Sequence, residues 1–524
     1  MCGTMDKLPQ EIKVKIASHL PKTLDGSGLS GDGKKTLVRP GIASLSHAWQ
    51  AAVEIVTFKS IRIKSTELSH FRTQFSGIQR RKALRKLTYS VELRPYDDEE
   101  CGDYETDEDR VTNDLIASQA ISGLLCELAT WPSDLNIDQL SIEIYAPMDM
   151  PYRGQDRFYE DRNAAIVGTR KDLFTRRYQY SYIHLVDIDE LQVQIPYVHY
   201  LNMSSSSYRD LDPASLVALT AKFPSLPSIS WKYKEPGPFV PLRKKLRSGF
   251  VKSLKNSKLT SETKKLRVKI ESPSYPHNKR LPNLIGSLPS DPLSVAFHNV
   301  ISESSLEKLF YNGPIDPSFF WPTKPGEPHL NWPRITDMII KFDHASPSGR
   351  WYFKGATGDP FNEPDSDEPL PASDRGCFPP GYGFPADTLY ALELESRMTV
   401  ETDDDGLVDE RRFFRKIPNE EVMVPLLEAF ARRLATMPSV ESAQLVTTIP
   451  TGDEEEWFVQ YDAPGFSNDY ESYTDEPDMD LSKARVFFHV KDWVPGKHLL
   501  DQYRRIGREL HGKEAIVSLL PFLY

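Results

Sequence analysis

The feature that most constrains the fold is a unit, repeated along the chain, in which a helix-like segment precedes a strand-like segment. The helix-like segments place apolar residues at helical spacing, and the strand-like segments alternate apolar with polar residues. The pairs are residues 113–131 with 140–145, 213–223 with 229–233, 242–254 with 266–270, and 422–437 with 443–446. Because parallel strands need a crossover connection, which is usually a helix, this order predicts an α/β fold.

The strand-like segments also resemble those of leucine-rich repeats, in which helix–strand units stack into a solenoid. Leu266, Val268 and Ile270 show the apolar alternation of such a strand. The strand-like segments begin about 27 to 53 residues apart, whereas these repeats are usually about 20 to 29 residues long. We therefore predict an irregular, leucine-rich-repeat-like α/β solenoid. A compact α/β domain with a mixed sheet is the alternative.

The solenoid prediction specifies one curved sheet. Its predicted neighbouring strands are residues 87–93, 140–145, 229–233 and 266–270. Three further segments are strand-like, namely residues 191–195, 293–297 and 335–342. Near the C-terminus we expect a strand at residues 484–490, a helix at residues 499–510 and an apolar terminus, residues 516–524, that docks into the core.

Three acidic stretches interrupt this pattern, at about residues 97–109, 343–419 and 452–480. Nine of the thirteen residues from 97 to 109 are Asp or Glu, and such a run repels itself and stays solvated. The other two stretches combine Asp and Glu with Pro, Gly and Ser. We predict that all three are long loops, because they contain too little apolar surface to offset the entropy of ordering them.

Composition narrows the function. The chain has 524 residues and a net charge of −11, which disfavours broad nucleic-acid binding because phosphate neutralisation needs clustered Lys and Arg. Its four cysteines are scattered without a C-x-x-C spacing, so neither a disulfide framework nor a zinc site is indicated. No apolar run approaches the ~18 residues of a membrane span, and no signal peptide is evident. We expect a cytoplasmic or nuclear protein that does not bind a membrane.

Candidates for catalysis are weak, so the sequence predicts no enzyme, no metal site and no cofactor. Five histidines are isolated in the sequence, namely His184, His199, His298, His344 and His489. Neither H-E-x-x-H nor G-x-S-x-G occurs near them. Residues 28–34 match the start of a phosphate-binding loop, but Lys35 stands where a Ser or Thr must bind Mg²⁺.

Near the N-terminus, Leu8, Ile12, Ile16 and Leu20 recur every four residues and form one apolar stripe on a predicted helix. Pro9 suits the first helical turn, where its missing N–H is not needed, and Glu11 lies near the positive end of the helix dipole. A second predicted helix contains Trp49. A unit of about 60 residues cannot bury two such apolar helices alone, so it must pack on the rest of the chain or on a partner.

This residue order resembles the F-box, in particular that of the F-box-like proteins abundant in filamentous fungi. The resemblance implies that residues 1–63 bind a Skp-type linker protein, which connects them to a cullin scaffold. The surface that it implies consists of Leu8, Pro9, Glu11, Ile12, Ile16 and Leu20, with Trp49 holding the helices together. Residues 64–524 would then bind an unknown protein substrate. The expected function is that of a substrate-recruiting adaptor of a cullin-type ubiquitin ligase.

One insert departs from the F-box pattern. Residues 25–35 are rich in Gly and Ser, which indicates a flexible loop, and they displace the second helix of the motif. This feature favours the alternative, a protein-interaction scaffold of leucine-rich-repeat type with no role in ubiquitination. In that case, the helices around Leu8 and Trp49 only cap the repeat region.

A basic stretch stands out in this acidic chain. Residues 243–269 contain eleven Lys or Arg residues and one acidic residue, Glu262. The stretch could recruit an acidic partner or a phosphorylated segment by charge pairing. The interpretation we favour is that these cations coat the outer face of a helix whose apolar face is Leu246, Phe250 and Leu254.

Overall fold

In the computed structural model, the described residues are 7–20, 23–24, 36–37, 42–96, 100, 104–146, 178, 180–203, 209–237, 239–273, 281–322, 331–356, 378–383, 414–449, 455–466 and 480–520. Within these ranges, no helix is long and apolar enough to cross a lipid bilayer. The Gly/Ser-rich insert, residues 25–35, lies outside the described residues together with its phosphate-loop-like segment, and so does most of the acidic stretch at residues 343–419, namely 357–377 and 384–413.

Two helices form near the N-terminus, as the sequence predicts: α1, Gln10–His19, and α2, His47–Thr57. The Ser46 hydroxyl accepts a hydrogen bond from the Trp49 N–H at 3.4 Å, which caps the first turn of α2. The two helices pack against each other. Between them in the chain, Thr23–Leu24 pairs with Thr36–Leu37 as a short antiparallel ladder.

The first sheet has four parallel strands, in the same order as in the chain. They are β1, Ser60–Lys64; β2, Lys86–Glu92; β3, Gln139–Tyr145; and β4, Leu201–Met203. Two short helices, α3, Leu68–Gln74, and α4, Ile78–Ala83, connect β1 to β2, and a long helix, α5, Asp107–Ala129, connects β2 to β3. The expected boundary after residue 63 therefore lies inside β1, whose residues pair with β2.

The end of the acidic stretch at residues 97–109 begins α5 instead of continuing as a loop. Thr106 Oγ1 accepts from the Asp109 N–H at 3.1 Å, and the Asp109 carboxylate accepts from the Thr106 N–H at 3.2 Å. This reciprocal pair is a capping box, and Asp107 and Glu108 add negative charge at the positive end of the helix dipole. Local acidity therefore stabilises the helix start here.

The second sheet has eight strands, again in chain order. They are β5, Ser228–Lys234; β6, Lys265–Glu271; β7, Lys308–Gly313; β8, Asp337–Phe342; β9, Ser442–Ile449; β10, Glu455–Asp462; β11, Arg485–His489; and β12, Ile516–Leu519. Strands β5 to β9 are parallel. Strand β10 is antiparallel to both of its neighbours, and β12 is parallel to β11.

Helices lie in several of the connections around the second sheet. They are α6, Pro213–Thr220, before β5; α7, Val240–Asn256, between β5 and β6; α8, Pro292–Ser302, between β6 and β7; α9, Glu420–Leu434, between β8 and β9; and α10, Lys497–His511, between β11 and β12. The fold is therefore mixed α/β with one large, mostly parallel sheet, which confirms the predicted class.

The prediction of one curved sheet is wrong. Residues 87–93 and 140–145 lie in the first sheet, whereas residues 229–233 and 266–270 lie in the second. The ladder breaks because β4 has only three residues and its neighbour in the chain, Asp210–Leu211, pairs instead with Tyr182–Ile183. The strand Asp210–Leu211 of this short parallel pair contacts β5.

Some local predictions are also wrong. Residues 293–297 lie in α8, whose start is set by the Asp291 cap and Pro292 in the first turn, and residues 191–195 form no strand. The sequence pattern did not predict strand β7. It also predicted a loop at residues 452–480, but β10 lies inside this acidic stretch, and there buried Trp457, Val459 and Tyr461 alternate with residues on the other face. In the stretch at residues 343–419, Phe353–Lys354 pairs with Ile417–Pro418.

The two faces of the second sheet differ. In strands β5 to β8 every second residue is buried, and the residues between them are partly or fully exposed. The buried side chains pack with those of the helices: the Phe250 ring on α7 contacts Trp231 and Phe297. One buried cluster includes Leu87 and Ile142 of the first sheet together with Trp231 and Leu445 of the second.

Candidate partner-binding surfaces

The predicted apolar stripe on α1 lies at the protein surface. Ile12 is 43% exposed, while Leu8, Ile16 and Leu20 are half-buried. Pro9 and Glu11 at the helix start are exposed. The side of α1 that is fully buried is a different one, formed by Lys13 and Ala17.

The position of the stripe follows from helical geometry. Lys13 and Ala17 are four residues apart and share one face, and this face is turned inward, while α1 packs against α2. Gln10 donates a side-chain hydrogen bond to the Ala48 carbonyl at 3.3 Å, which links the start of α1 to α2. The chain therefore buries the less apolar face of α1 and leaves Ile12 in contact with solvent.

Trp49 lies inside the helical unit, where only 3% of it is exposed. This agrees with its expected part in holding the helices together. A buried indole offers little surface to a partner, so contact through Trp49 would require the unit to open. The other six residues of the predicted surface remain accessible at least in part.

Sequence reasoning missed three exposed apolar residues in the same region. Leu45 is 49% exposed, Ile55 on α2 is 37% exposed and Ile78 on α4 is 40% exposed. Helices α2 and α4 are in contact, and the Arg80 guanidinium forms an ion pair with Glu54 at 2.8 Å. No periodic signal identifies these residues, because only their tertiary environment leaves them uncovered.

The histidines have structural partners. His298 Nδ1 lies 3.1 Å from the Phe319 carbonyl, His344 Nε2 lies 2.5 Å from the Thr448 carbonyl, and His489 Nδ1 lies 2.8 Å from the Glu456 carbonyl. Burial lowers the pKa of His344 despite its hydrogen bond to Thr448. In the described ranges, no group of His, Cys, Asp and Glu side chains could hold a metal ion.

His184 and Asp212 form the most polar histidine contact, at 2.6 Å. The hydrogen bond from Asp212 raises the pKa of His184, although burial opposes this shift. The nearby Ser215 hydroxyl donates to Asp212 rather than to the imidazole, at 3.0 Å. Asp212 also accepts from the Ser215 N–H, so this arrangement caps the start of α6.

A cavity of about 280 Å³ lies at the carboxyl ends of β6 to β9, the edge where α/β sheets usually bind ligands. Its lining includes Ser272, Asp343, His344, Thr448 and Trp351. Asp343 Oδ2 is inaccessible to solvent. Burial raises the pKa of Asp343 to about 6, although Ser272, Arg243 and Arg247 act to lower it.

The beginning of the basic stretch at residues 243–269 is buried in ion pairs. Glu235, directly after β5, accepts from Arg243 Nε at 3.0 Å and from Arg247 Nη1 at 3.1 Å. Arg247 Nη2 also contacts both carboxylate oxygens of Asp291 at 2.9 Å, and Asp291 caps α8. Burial disfavours the charge on Glu235, but the two guanidinium groups hold its pKa below the usual value.

The end of the same stretch has the opposite environment. Lys265, Arg267 and Lys269 are alternate residues of β6 and lie on the partly exposed face of the second sheet. The favoured sequence interpretation, a coat of cations on the outer face of α7, therefore applies only to part of the stretch, such as the exposed Lys252 and Lys255.

Comparison of the chain with protein-family models, curated proteins and solved structures found no match.

Proposed function

We propose that the protein is a substrate-recruiting adaptor of a cullin-type ubiquitin ligase. In this proposal, the helices α1 and α2 bind a Skp-type linker protein, and the rest of the chain binds a target protein. The observation on which the proposal depends is the exposure of the predicted stripe: Ile12 is 43% exposed, and Leu8 and Ile16 are only half-buried. These residues are available to a partner because α1 packs through its other face.

The apolar area of the stripe suits a protein–protein contact. Burying a fully exposed Leu or Ile side chain stabilises a complex by about 1.5–3 kcal/mol, and the half-buried residues contribute less. Micromolar affinity corresponds to about 8 kcal/mol, so the stripe supplies only part of the binding free energy and neighbouring contacts must supply the rest. The exposed Leu45 and Ile55 would add to the contact if the linker extends along α2.

The order of the strands supports a repeat-like target-binding region. In each sheet, strands follow one another as they do in the chain, and helices connect β5 to β6 and β6 to β7. Stacked units of this kind create extended binding surfaces. This proposed region is not a solenoid with one continuous curved sheet, because the strands at residues 87–93 and 140–145 lie in one sheet and those at residues 229–233 and 266–270 lie in another.

An adaptor needs no chemistry of its own. By holding a target near the ligase, it raises the effective concentration of the target, which can increase a reaction rate without a new catalytic group.

The test is a calorimetric titration of a purified Skp-type linker into the full-length protein. Ile12→Asp should weaken binding at least tenfold, and Ile12→Asp combined with Ile16→Asp should abolish it, because a complex would bury unpaired charges at a cost of several kcal/mol. Ser18→Asp is the matched control, since Ser18 is exposed on α1 but lies away from the stripe. Absence of wild-type binding at about ten micromolar would end the proposal.

One observation favours the scaffold without a ubiquitin role. Thr23–Leu24 and Thr36–Leu37 pair as strands at the place where the F-box motif has its second helix. If this ladder prevents linker binding, the wild-type protein should fail the titration while its target-binding region still binds a partner. Linker binding alone therefore distinguishes the ubiquitin-ligase adaptor from the scaffold.

A further inference from the structure

The partly exposed face of the second sheet has an unusual charge for this protein. Along β5 to β8 the residues of this face alternate with the buried ones, so their side chains form rows across neighbouring strands. Seven of them are cations, namely Lys232, Lys234, Lys265, Arg267, Lys269, Lys308 and Lys341. Only Glu271 and Asp337 are acidic on the same four strands. We call this surface the basic sheet face.

The strand pairing brings these cations close together. In the register of the sheet, Lys269 lies opposite Lys232, and Lys265 lies opposite Lys308. Neighbouring strands are about 4.8 Å apart, so like charges face each other across the ladder. Such an arrangement destabilises the sheet unless anions compensate it. The positive charge is concentrated on this face although the net charge of the whole chain is −11.

The carboxylates of the face compensate only part of this charge. Glu271 pairs with Lys269 at 2.8 Å and with Lys232 at 3.3 Å, and Asp337 pairs with Lys308 at 3.2 Å. Burial opposes the charge on Glu271, but the hydrogen bonds from Lys269 and Lys232 hold its pKa below the usual value. Both acids are therefore already engaged.

Three of the remaining cations, Lys265, Arg267 and Lys341, form no ion pair with a carboxylate among the described residues. The fourth, Lys234, lies near the Asp210 carboxylate: burial raises the pKa of Asp210, and the charge of Lys234 acts to lower it. Arg267 is held in place by its guanidinium group, which lies 4.7 Å from the centre of the Phe310 ring. An anion that docks here would thus meet a fixed guanidinium and three ammonium groups.

The spacing of these groups matches an extended peptide. Lys265, Arg267 and Lys269 are alternate residues of one strand, so they are about 6.6 Å apart, as are alternate side chains of any extended chain. A peptide with Asp or Glu at every second position, lying along β6, can therefore pair each carboxylate with one cation. Cations on β5 and β7 flank this line on both sides.

We propose that the basic sheet face binds an acidic, extended segment of the target protein, with carboxylates at alternate positions. This inference rests on the target-binding half of the proposed function and specifies the chemistry of the target. Nucleic acid fits the face less well, because single strands bind by stacking on aromatic rings and only Phe310 is aromatic among the described residues of the face. That ring is already covered by Arg267.

The test uses fluorescence anisotropy with the full-length protein and a labelled peptide of about ten residues that alternates Glu with Ser. A peptide that alternates Gln with Ser is the uncharged control. The acidic peptide should bind at least about tenfold more tightly at low salt, and binding should weaken as ionic strength rises from about 50 to 300 mM, because salt screens exposed charges. Equal binding of both peptides would overturn the proposal.

Two charge-matched variants locate the site. Lys265→Glu with Arg267→Glu should weaken binding at least about tenfold, because it places repulsive charges in the line of the peptide. Lys252→Glu with Lys255→Glu changes the net charge equally, but on the exposed side of α7, and should change binding less than about twofold. Equal losses in both variants would show attraction by net charge alone and overturn the proposal.

Loss of the Arg267–Phe310 contact could disturb folding, so Lys234→Glu with Lys265→Glu serves as a second variant that keeps it. It should weaken peptide binding similarly while its thermal unfolding stays close to that of the wild type. Tighter binding of an oligothymidylate of equal charge than of the acidic peptide would also overturn the proposal and assign the face to nucleic acid.

The Ile12→Asp, Ile16→Asp protein separates this inference from the proposed function. It should bind the acidic peptide as the wild type does, because the altered residues lie on α1. Linker binding without peptide binding would overturn only the inference about the target. Peptide binding without linker binding would support the basic sheet face and overturn only the adaptor function.

Discussion

At the scale of single residues, similar carboxyl groups behave differently because of their neighbours. Glu235 and Asp343 both follow strands of the second sheet. Glu235 is 1% exposed, whereas Asp343 is half-buried and only its Oδ2 atom is inaccessible to solvent. Two buried guanidinium groups, of Arg243 and Arg247, hold Glu235 in its charged form. Asp343 has no such direct partner, and burial raises its pKa to about 6. The first carboxylate stabilises the fold when ionised, and the second is stable in the fold mainly when protonated.

Asp343→Asn should therefore change the pH dependence of stability. Because the folded state raises this pKa from 3.8 to about 6, its contribution is present below about pH 4 and is lost as the pH rises through 6. Asn stays neutral, so the stability of the variant relative to the wild type should rise by up to about 2 kcal/mol between pH 4.5 and 7.5. Urea unfolding at both pH values measures this difference.

The control for this prediction is Asp337→Asn, which changes an exposed carboxylate at the start of β8, the strand that Asp343 follows. It should leave the wild-type difference between the two pH values nearly unchanged. The groups around Asp343 are Ser272, Glu235, Arg243 and Arg247, and they are the same in both proteins. An Asp343→Asn protein that unfolds like the wild type at both pH values would show that Asp343 is not stabilised in its neutral form.

At the scale of secondary-structure elements, close packing decides which substitutions a helix accepts. Gly507 on α10 has no side chain, and a Cβ there would lie 2.5 Å from the Ala515 backbone nitrogen and 2.7 Å from the Lys513 carbonyl. These backbone atoms belong to the turn that leads into β12. Gly249 on α7 is also helical, but a Cβ there would meet only Ala214 at 3.7 Å, an ordinary contact.

Gly507→Ala should destabilise the protein by about 1–3 kcal/mol, because the last helix must move away from the turn before β12. Gly249→Ala is the matched control and should be neutral or stabilising by up to about 1 kcal/mol, because Ala favours the helix. Chemical denaturation of the two variants measures both effects. Equal stability of the variants would mean that α10 does not approach the 513–515 backbone so closely.

At the scale of the whole molecule, the two sheets share one buried cluster. The cluster contains Leu87 and Ile142 from the first sheet, Trp231 and Leu445 from the second, and Ile506 from α10. Shared apolar contacts couple the stability of elements that are separate in hydrogen bonding, because exposing one side also exposes the other. The break in the ladder between β4 and β5 therefore does not divide the core.

Ile142→Ala, in the first sheet, should accordingly weaken the whole fold. Ile142 is 1% exposed, and removing such a side chain costs about 2–5 kcal/mol through lost burial and the remaining cavity. Far-UV circular dichroism and tryptophan fluorescence should report one urea transition whose midpoint falls by the same amount with both probes. Two separate transitions, of which only one shifts, would show that the sheets unfold independently.

Local patterns in the sequence determined much of the secondary structure. Apolar alternation identified β2, β3, β5 and β6, and helical spacing identified α5, α7 and α9, because side-chain periodicity follows directly from local backbone geometry. The stripe of Leu8, Ile12 and Ile16 was also visible in the sequence. The proposed partner of the stripe, a Skp-type linker, is inferred from the resemblance to the F-box. The linker titration tests whether it binds.

Only the tertiary structure decided how these elements pair and which residues remain exposed. The separation into two sheets and the formation of β10 in an acidic stretch depend on strands that pair through tertiary contacts. The start of α5 at Asp107 depends on capping contacts. The basic stretch shows the same limit. Arg247 is buried between Glu235 and Asp291, whereas Arg267 lies on the basic sheet face. The reason is that burial depends on packing between distant parts of the chain, whereas a charge pattern in the sequence is local.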